Sequence, residues 1–207
     1  EDDYGYSITL SAGDNYLSGP FFNAASDPSF ASTGVFNDVY NDLYDLTGDA
    51  AYAALAVGGG RVDISIMNVI GFDASALGNH EFDLGTGTIA GLLQPGFGAA
   101  DGTADDSWVG SQFPYLSANL DFSGDSSLSG LYTGEILNAD AFATGPDQSA
   151  GSTTTPKIAP ATLIDVTDPE TGLTETIGVV GATTPILATI SSPGGVEVLG
   201  SASNDMQ

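Results

Sequence analysis

The reading of this chain turns on the stretch Asp73-Ala74-Ser75-Ala76-Leu77-Gly78-Asn79-His80-Glu81-Phe82-Asp83. Asp73 to Leu77, small or apolar after the leading Asp, reads as a short buried strand; the last six residues form a loop dense in polar groups. An earlier segment has the same design. Tyr6 to Leu10 reads as a strand, and Ser11-Ala12-Gly13-Asp14-Asn15 ends it with turn-forming residues, so Asp14 also lies beyond a strand's carboxyl end. Open α/β sheets gather their ligand groups on loops of this kind.

Outward from these two loops, the pattern alternates between helix and strand. Val35, Phe36, Val39, Tyr40, Leu43 and Leu46 recur at spacings of three and four, which predicts an amphipathic helix that Gly48 interrupts. Ala50 to Val57 reads as a second short helix stopped by Gly58-Gly59-Gly60. Arg61 to Ile70, with Val62, Ile66, Val69 and Ile70 on one face, reads as helix, although its β-branched content also permits a strand. Thr88 to Leu93 supplies one or two helical turns, and Phe113 to Leu120 returns to strand character. Ile158 to Val166 and Thr174 to Val180 flank the turn formers Asp168-Pro169-Glu170-Thr171-Gly172, which predicts a β-hairpin. Residues 95–112 and 121–157 are Gly/Asp/Ser-rich loops or insertions. The second is either locally ordered or a flexible excursion, with Leu128, Leu131, Tyr132, Ile136 and Leu137 available to dock it. The whole predicts a layered α/β fold with mixed sheets.

Composition narrows the function classes. The 207 residues include 27 Asp and Glu against 2 Lys and Arg, for a formal charge of −25. Arg61 and Lys157 cannot form a phosphate-neutralising cluster, which excludes nucleic-acid polymers and anionic membrane surfaces as partners. Intrinsic disorder is excluded by a 42% hydrophobic content with 8 Tyr and 10 Phe, enough apolar surface to fold. No run of 18 apolar residues marks a membrane span. The start, Glu1-Asp2-Asp3-Tyr4, is the opposite of a signal peptide's basic region, so any export signal is expected to have been removed or not included. An acidic, lysine-poor, cysteine-free composition suits a periplasmic or extracellular protein, and a saline medium would relieve its self-repulsion.

His80 is the single histidine of the chain. Asp83, three residues on, is placed to orient the ring and stabilise its protonated form, as an acid catalyst requires. Asn79 offers a neutral oxygen beside it and Asp14 a charged one, a pair suited to hard or borderline divalent ions.

These residues carry a resemblance. Gly78-Asn79-His80-Glu81-Phe82-Asp83 is similar to the GNHEFD motif of the 5′-nucleotidase branch of the calcineurin-like metallophosphoesterases, and Ala12-Gly13-Asp14-Asn15 followed by Gly19 resembles that family's preceding GD motif. Pro114 to Leu120 and Ile177 to Pro185 resemble two further stretches of the same branch, in the same order. The resemblance implies a four-layer αββα metallophosphoesterase domain with mixed sheets. It implies hydrolysis of phosphate monoesters such as nucleotides at a centre of two divalent ions, with Zn, Mn, Mg, Fe and Ca left undistinguished. Asp14 would bridge the ions and Asn79 would bind one. His80 would contact the phosphoryl group and stabilise the transition state or protonate the leaving oxygen, while Asp83 holds its ring. Gly13, Gly78, Glu81 and Asn119 fall in matching segments as supporting residues.

The family also carries an Asp-x-His motif before the GD segment, and Gly-His and Gly-His-x-His segments after GNHEFD; none of these stands in this sequence. Residues 1–207 are therefore expected to be a single incomplete domain that lacks its first strand and its C-terminal part. Such a piece of a larger enzyme would not fully coordinate either ion and would be inactive alone. The competing reading is a non-catalytic or calcium-stabilised extracellular surface protein on the same scaffold, for which Asp101 to Asp106 is the motivating acidic stretch.

Overall fold

A computed structural model describes residues 7–96, 107–146 and 156–200. In chain order, β1 (Leu10–Ser11) leads into helices α1 (Pro20–Ala24), α2 (Pro28–Thr33), α3 (Val35–Leu43) and α4 (Arg61–Ile70). Next come β2 (Ala74–Ala76), α5 (Thr86–Leu93), β3 (Tyr115–Leu116), β4 (Leu120–Asp121) and β5 (Leu137–Asn138). The chain continues through β6 (Ile158–Ala159), β7 (Ala161–Thr167), β8 (Thr174–Val180), α6 (Leu187–Ile190) and β9 (Glu197–Val198). Strands β1, β2, β3 and β6 form a parallel sheet in the order β1-β2-β3-β6. A second sheet, β5-β7-β8, is mixed, and β4 pairs antiparallel with β9. The α/β class with mixed sheets is therefore as the sequence predicts.

Strands β2, β3 and β6 of the parallel sheet are short and largely buried, whereas β1 at the sheet edge leaves Leu10 45% exposed. Ser75 pairs with Tyr115 and Tyr115 with Ile158, and Ser75, Tyr115 and Ile158 are each at most 1% exposed. Helices cover them with one core that joins Phe36 and Tyr40 of α3, Ile64 and Met67 of α4, and Ile89, Leu92 and Leu93 of α5 to Trp108 and Phe113. The hairpin also forms, with Ala161–Thr167 in register against Thr174–Val180. Helix α4 runs over the predicted Arg61–Ile70, bounded by left-handed glycines, Gly60 at φ 77° and Gly71 at φ 80°. A left-handed residue there costs glycine no Cβ clash, so the sequence starts and stops the helix sharply.

Three expectations need correction. The helix expected over residues 50–57 does not form. After a 3₁₀ turn at Gly48–Ala50 the chain extends, because other groups take its backbone amides. Asn41 Oδ1 accepts from Tyr52 N at 2.7 Å, Asn37 Oδ1 accepts from Leu55 N at 2.8 Å, and Ser107 O accepts from Ala56 N at 2.8 Å. On α4 the buried side is Ile64, Ser65, Met67 and Asn68; of the face the spacing suggested, Val62 packs against the core but Ile66, Val69 and Ile70 are about half exposed. The helix is apolar on both sides, so periodicity alone does not choose between them. Finally, Phe113 to Leu120 is two strands rather than one, broken by a turn at Ala118 and Asn119. Helices α1, α2 and α6 had no clear sequence signal.

The expected first strand, Tyr6 to Leu10, is observed as Leu10–Ser11, with backbone pairing reaching back to Thr9, whose carbonyl accepts from Asp73 N at 2.9 Å; Tyr6 lies outside the described residues. Asp101 to Asp106 also lies outside them. Residues 121–146 are ordered by 3₁₀ turns at Ser129–Leu131 and Ala139–Phe142 and anchored by Leu128, Leu131 and Phe142, each 0% exposed. Ile136 stays 58% exposed and does not dock. Among the described residues no helix is long and apolar enough to cross a membrane.

Candidate functional site

Both sequence-selected loops leave the carboxyl end of the parallel sheet from adjacent strands, Asp14 after β1 and Gly78 to Asp83 after β2. Their contact is close enough to demand glycine on each side. A Cβ on Gly13, which sits at φ +97°, would lie 2.5 Å from Gly78 N, and one on Gly78 would lie 2.2 Å from Asp14 Oδ1. Asp14 itself is in the left-handed region at φ 59°, a conformation Asp tolerates better than most residues. Its Oδ1 accepts the His80 backbone N–H at 3.0 Å, which ties the carboxylate to the second loop.

Glu81 clamps the first loop from below. Its side chain is 0% exposed, with Oε2 accepting from Asp14 N at 2.9 Å and Oε1 from Asn15 N at 2.7 Å. Burial pushes the Glu81 carboxyl up, and the two backbone donors offset this only in part. Asn15 then knits the strands beneath the loop. Its Nδ2 donates to Ser75 Oγ at 2.7 Å and to Tyr115 Oη at 3.1 Å, while its Oδ1 accepts from Ser11 Oγ.

His80 begins a 3₁₀ turn that runs to Phe82, and this turn brings Asp83 back beneath the ring. Nδ1 of His80 lies 2.6 Å from Asp83 Oδ2, and the His80 side chain is 43% exposed. The hydrogen bond to Asp83 raises the His80 pKa above the ordinary histidine value. For Asp83, partial burial pushes upward, but the bonds from His80 and from Ser191 Oγ outweigh it and its carboxyl falls below the usual range. With Nδ1–H assigned to Asp83 by this network, Nε2 is the ring atom left for chemistry.

Asn79 is half-buried in the same loop, and its side-chain amide has no hydrogen-bond partner among the described residues. Asn119 is differently employed. Its Oδ1 accepts from Thr183 N and its Nδ2 donates to Thr183 O, both at 2.8 Å, so it pins the chain after β8 to the turn after β3. Beside Asp14 a cleft of about 460 Å³ opens, lined by Tyr16, Leu17, Phe21, Phe22 and Asp63, with Phe21 93% exposed.

As a donor set, the exposed Asp14 carboxylate and the unpartnered Asn79 amide fit a divalent cation, and the His80 ring lies in the same loop cluster. Among the described residues, no group of three or more His, Asp or Glu side chains is gathered so as to hold a metal ion. Asn15, Tyr115 and Ser191 belong to the assembly but carried no sequence signal of their own. Asn15 was legible only as part of the GD segment, and Ser191 meets Asp83 across 108 residues.

No family model matches the chain. Over 135 residues, 65% of its length, it is 33% identical to the trifunctional nucleotide phosphoesterase protein YfkN of Bacillus subtilis, and it covers 8% of that protein. Over 135 residues it is 32% identical to the snake venom 5′-nucleotidase of Gloydius brevicauda, of which it covers 16%. Among solved structures, the 5′-nucleotidase precursor from Thermus thermophilus aligns with 96% of the chain at 23% identity and a TM-score of 0.43, the alignment spanning 32% of that structure.

Proposed function

We propose that this chain, a homologue of one stretch of the 5′-nucleotidases, contributes part of the active site of a metallophosphoesterase that hydrolyses phosphate monoesters, nucleotides among them, in the periplasm or outside the cell. The observation that carries the reading is the joining of two loops at one sheet end. Asp14 is bonded to the His80 backbone, Asn79 is left unpartnered, and His80 is backed by Asp83.

Asp14 and Asn79 would hold divalent cations. Bound there, divalent cations would supply hydroxide at neutral pH and positive charge against the phosphoryl oxygens. The chain's own part is proton handling and orientation. Asp83 fixes the His80 ring through Nδ1 and stabilises its imidazolium, so Nε2–H can donate to a phosphoryl oxygen or to the leaving oxygen. The raised His80 pKa keeps more of the ring protonated near neutrality than a free histidine would be. The cleft beside Asp14 is open to the organic part of the ester.

The test is His80→Ala in the protein at its full natural length, assayed with nucleoside monophosphates and divalent metal. Turnover falls at least about a hundredfold, the usual worth of a positioned general acid, while the thermal unfolding curve stays in place. Unchanged turnover refutes the reading.

A further inference from the structure

The bond between Asp83 and a distant serine goes beyond the histidine–aspartate pair. Ser191 closes the short helix α6, where its backbone N–H donates to Leu187 O at 3.0 Å, and its Oγ donates to Asp83 Oδ1 at 2.9 Å. The helix is anchored by Leu187, which is 0% exposed in the main core. Ser191 itself is half-buried and extended, with φ −149° and ψ −171°, so its side chain is aimed from a fixed base.

His80 and Asp83 share one 3₁₀ turn, three residues apart. A pair on one turn can keep its mutual hydrogen bond while the carboxylate rotates about its own side-chain torsions, carrying the ring with it. One bond therefore leaves the plane of the carboxylate free, and a second bond to its other oxygen, from a different element, fixes it. Asp83 has this arrangement: Oδ2 faces His80 Nδ1, and Oδ1 faces Ser191. We infer that Ser191 is a positioning residue of the site, locking the Asp83 carboxylate so that the His80 ring is held in one tautomer and one orientation. The inference rests on the reading of His80 proposed above, but its geometric core can be tested separately.

The chain contains one histidine, so its imidazole signals in a nitrogen–proton correlation spectrum need no assignment by mutation. At a pH above the raised His80 pKa, where the ring is neutral, the parent chain is expected to show a single tautomer with Nδ1–H in a slow-exchanging, low-field resonance. Ser191→Ala broadens or abolishes that resonance and moves the ring nitrogens toward a tautomer mixture, with backbone amides remote from 80–83 and 187–191 unmoved. Ser191→Thr, which keeps the hydroxyl, restores the parent spectrum. Ser191→Cys keeps the side chain's shape but exchanges a strong donor for a weak one, and it gives the Ser191→Ala result even if alanine disturbs the fold.

In the full-length protein with nucleoside monophosphate and metal, Ser191→Ala lowers kcat about tenfold and leaves KM within about twofold, as expected for one lost bond to a charged group. Imidazole spectra of Ser191→Ala and Ser191→Cys that superimpose on the parent overturn the inference, whatever His80→Ala does to turnover. If instead the spectra change as stated while His80→Ala leaves turnover intact, the positioning stands and the phosphoesterase reading falls.

Discussion

Replacing Glu81 by Gln changes one atom and asks whether the buried carboxylate sets the Asp14 loop. In the parent, both carboxylate oxygens accept backbone N–H groups, those of Asp14 at 2.9 Å and Asn15 at 2.7 Å, from a side chain that is 0% exposed. Glutamine keeps one acceptor and turns an NH₂ toward the other backbone donor. A hydrogen bond to a charged group is worth about 1.5–3 kcal/mol and a buried unsatisfied donor costs about 1–3 kcal/mol. Against these stands the relief of no longer burying a charge, a real term because desolvation pushes the Glu81 carboxyl up. The net is about 2 kcal/mol, felt first in the loop, because Asp14 is held at φ 59° and relaxes from the left-handed region when released. Native-state hydrogen exchange at the Asp14 and Asn15 amides should therefore accelerate about thirtyfold, the equivalent of about 2 kcal/mol. Urea unfolding should show a midpoint about 1 M lower, at a slope of about 2 kcal/mol per M. Glu81→Asp, one methylene too short to reach both amides, should behave the same way. Unchanged exchange at these two amides, with a midpoint within about 0.2 M of the parent, would refute the argument.

Gly78→Ala should destabilise the chain by about 2–4 kcal/mol in urea unfolding, because the new methyl would stand 2.2 Å from Asp14 Oδ1 and 2.7 Å from its backbone nitrogen and must push the loops apart; a change under about 0.5 kcal/mol would contradict the close approach. Lys157 is 0% exposed, burial lowers its pKa to about 7, and Nζ donates to Ser111 O and Phe142 O. The unfolded chain thus binds the extra proton between about pH 7 and the ordinary lysine value of 10.5, so this group's contribution to stability is complete above 10.5 and is lost as pH falls to about 7. The swing is about 2–4 kcal/mol after allowing for the two carbonyls, which favour the ammonium form. Urea midpoints that rise between pH 7 and 10 in the parent should be flatter in Lys157→Met, and parallel curves for the two proteins would count against it.

What was legible in the sequence was local. Gly78 to Asp83 is contiguous, so the relation of His80 to Asp83 is fixed by the turn that carries both, and spacing alone suggested it. The glycines at 60 and 71 bound α4, and Asp168 to Gly172 close the hairpin, because turn and cap chemistry act over a few residues. What was not legible was carried by bonds between distant residues. Glu81 reaches Asp14 across 67 positions, Asn119 reaches Thr183 across 64, and Ser191 reaches Asp83 across 108. Such bonds leave no period in the sequence. The same cause misled the reading of residues 50–57, where Asn37 and Asn41 on α3 take the amides that a helix would have used.

The extreme charge has a structural side that bears on the site. The chain's two basic side chains both have structural work. Arg61 donates to Ala56 O at 2.7 Å and lies 5.0 Å above the Trp108 ring, and Lys157 is enclosed with two carbonyls. The loops that join at the sheet end bring Asp14, Glu81 and Asp83 instead, and the cleft beside them adds Asp63. A dianionic phosphate ester approaching that cluster meets like charge, and His80, even protonated, supplies one positive charge already paired with Asp83. The local field has to be reversed by bound cations before such a substrate can dwell there. On the proposed function, Asp14 and Asn79 would be the donors of the two loops left to bind them, because Glu81 is consumed by backbone amides and Asp83 by His80 and Ser191. Phosphate-ester binding to the intact protein should accordingly track metal occupancy, and tight ester binding in the presence of excess chelator would break this chain of reasoning.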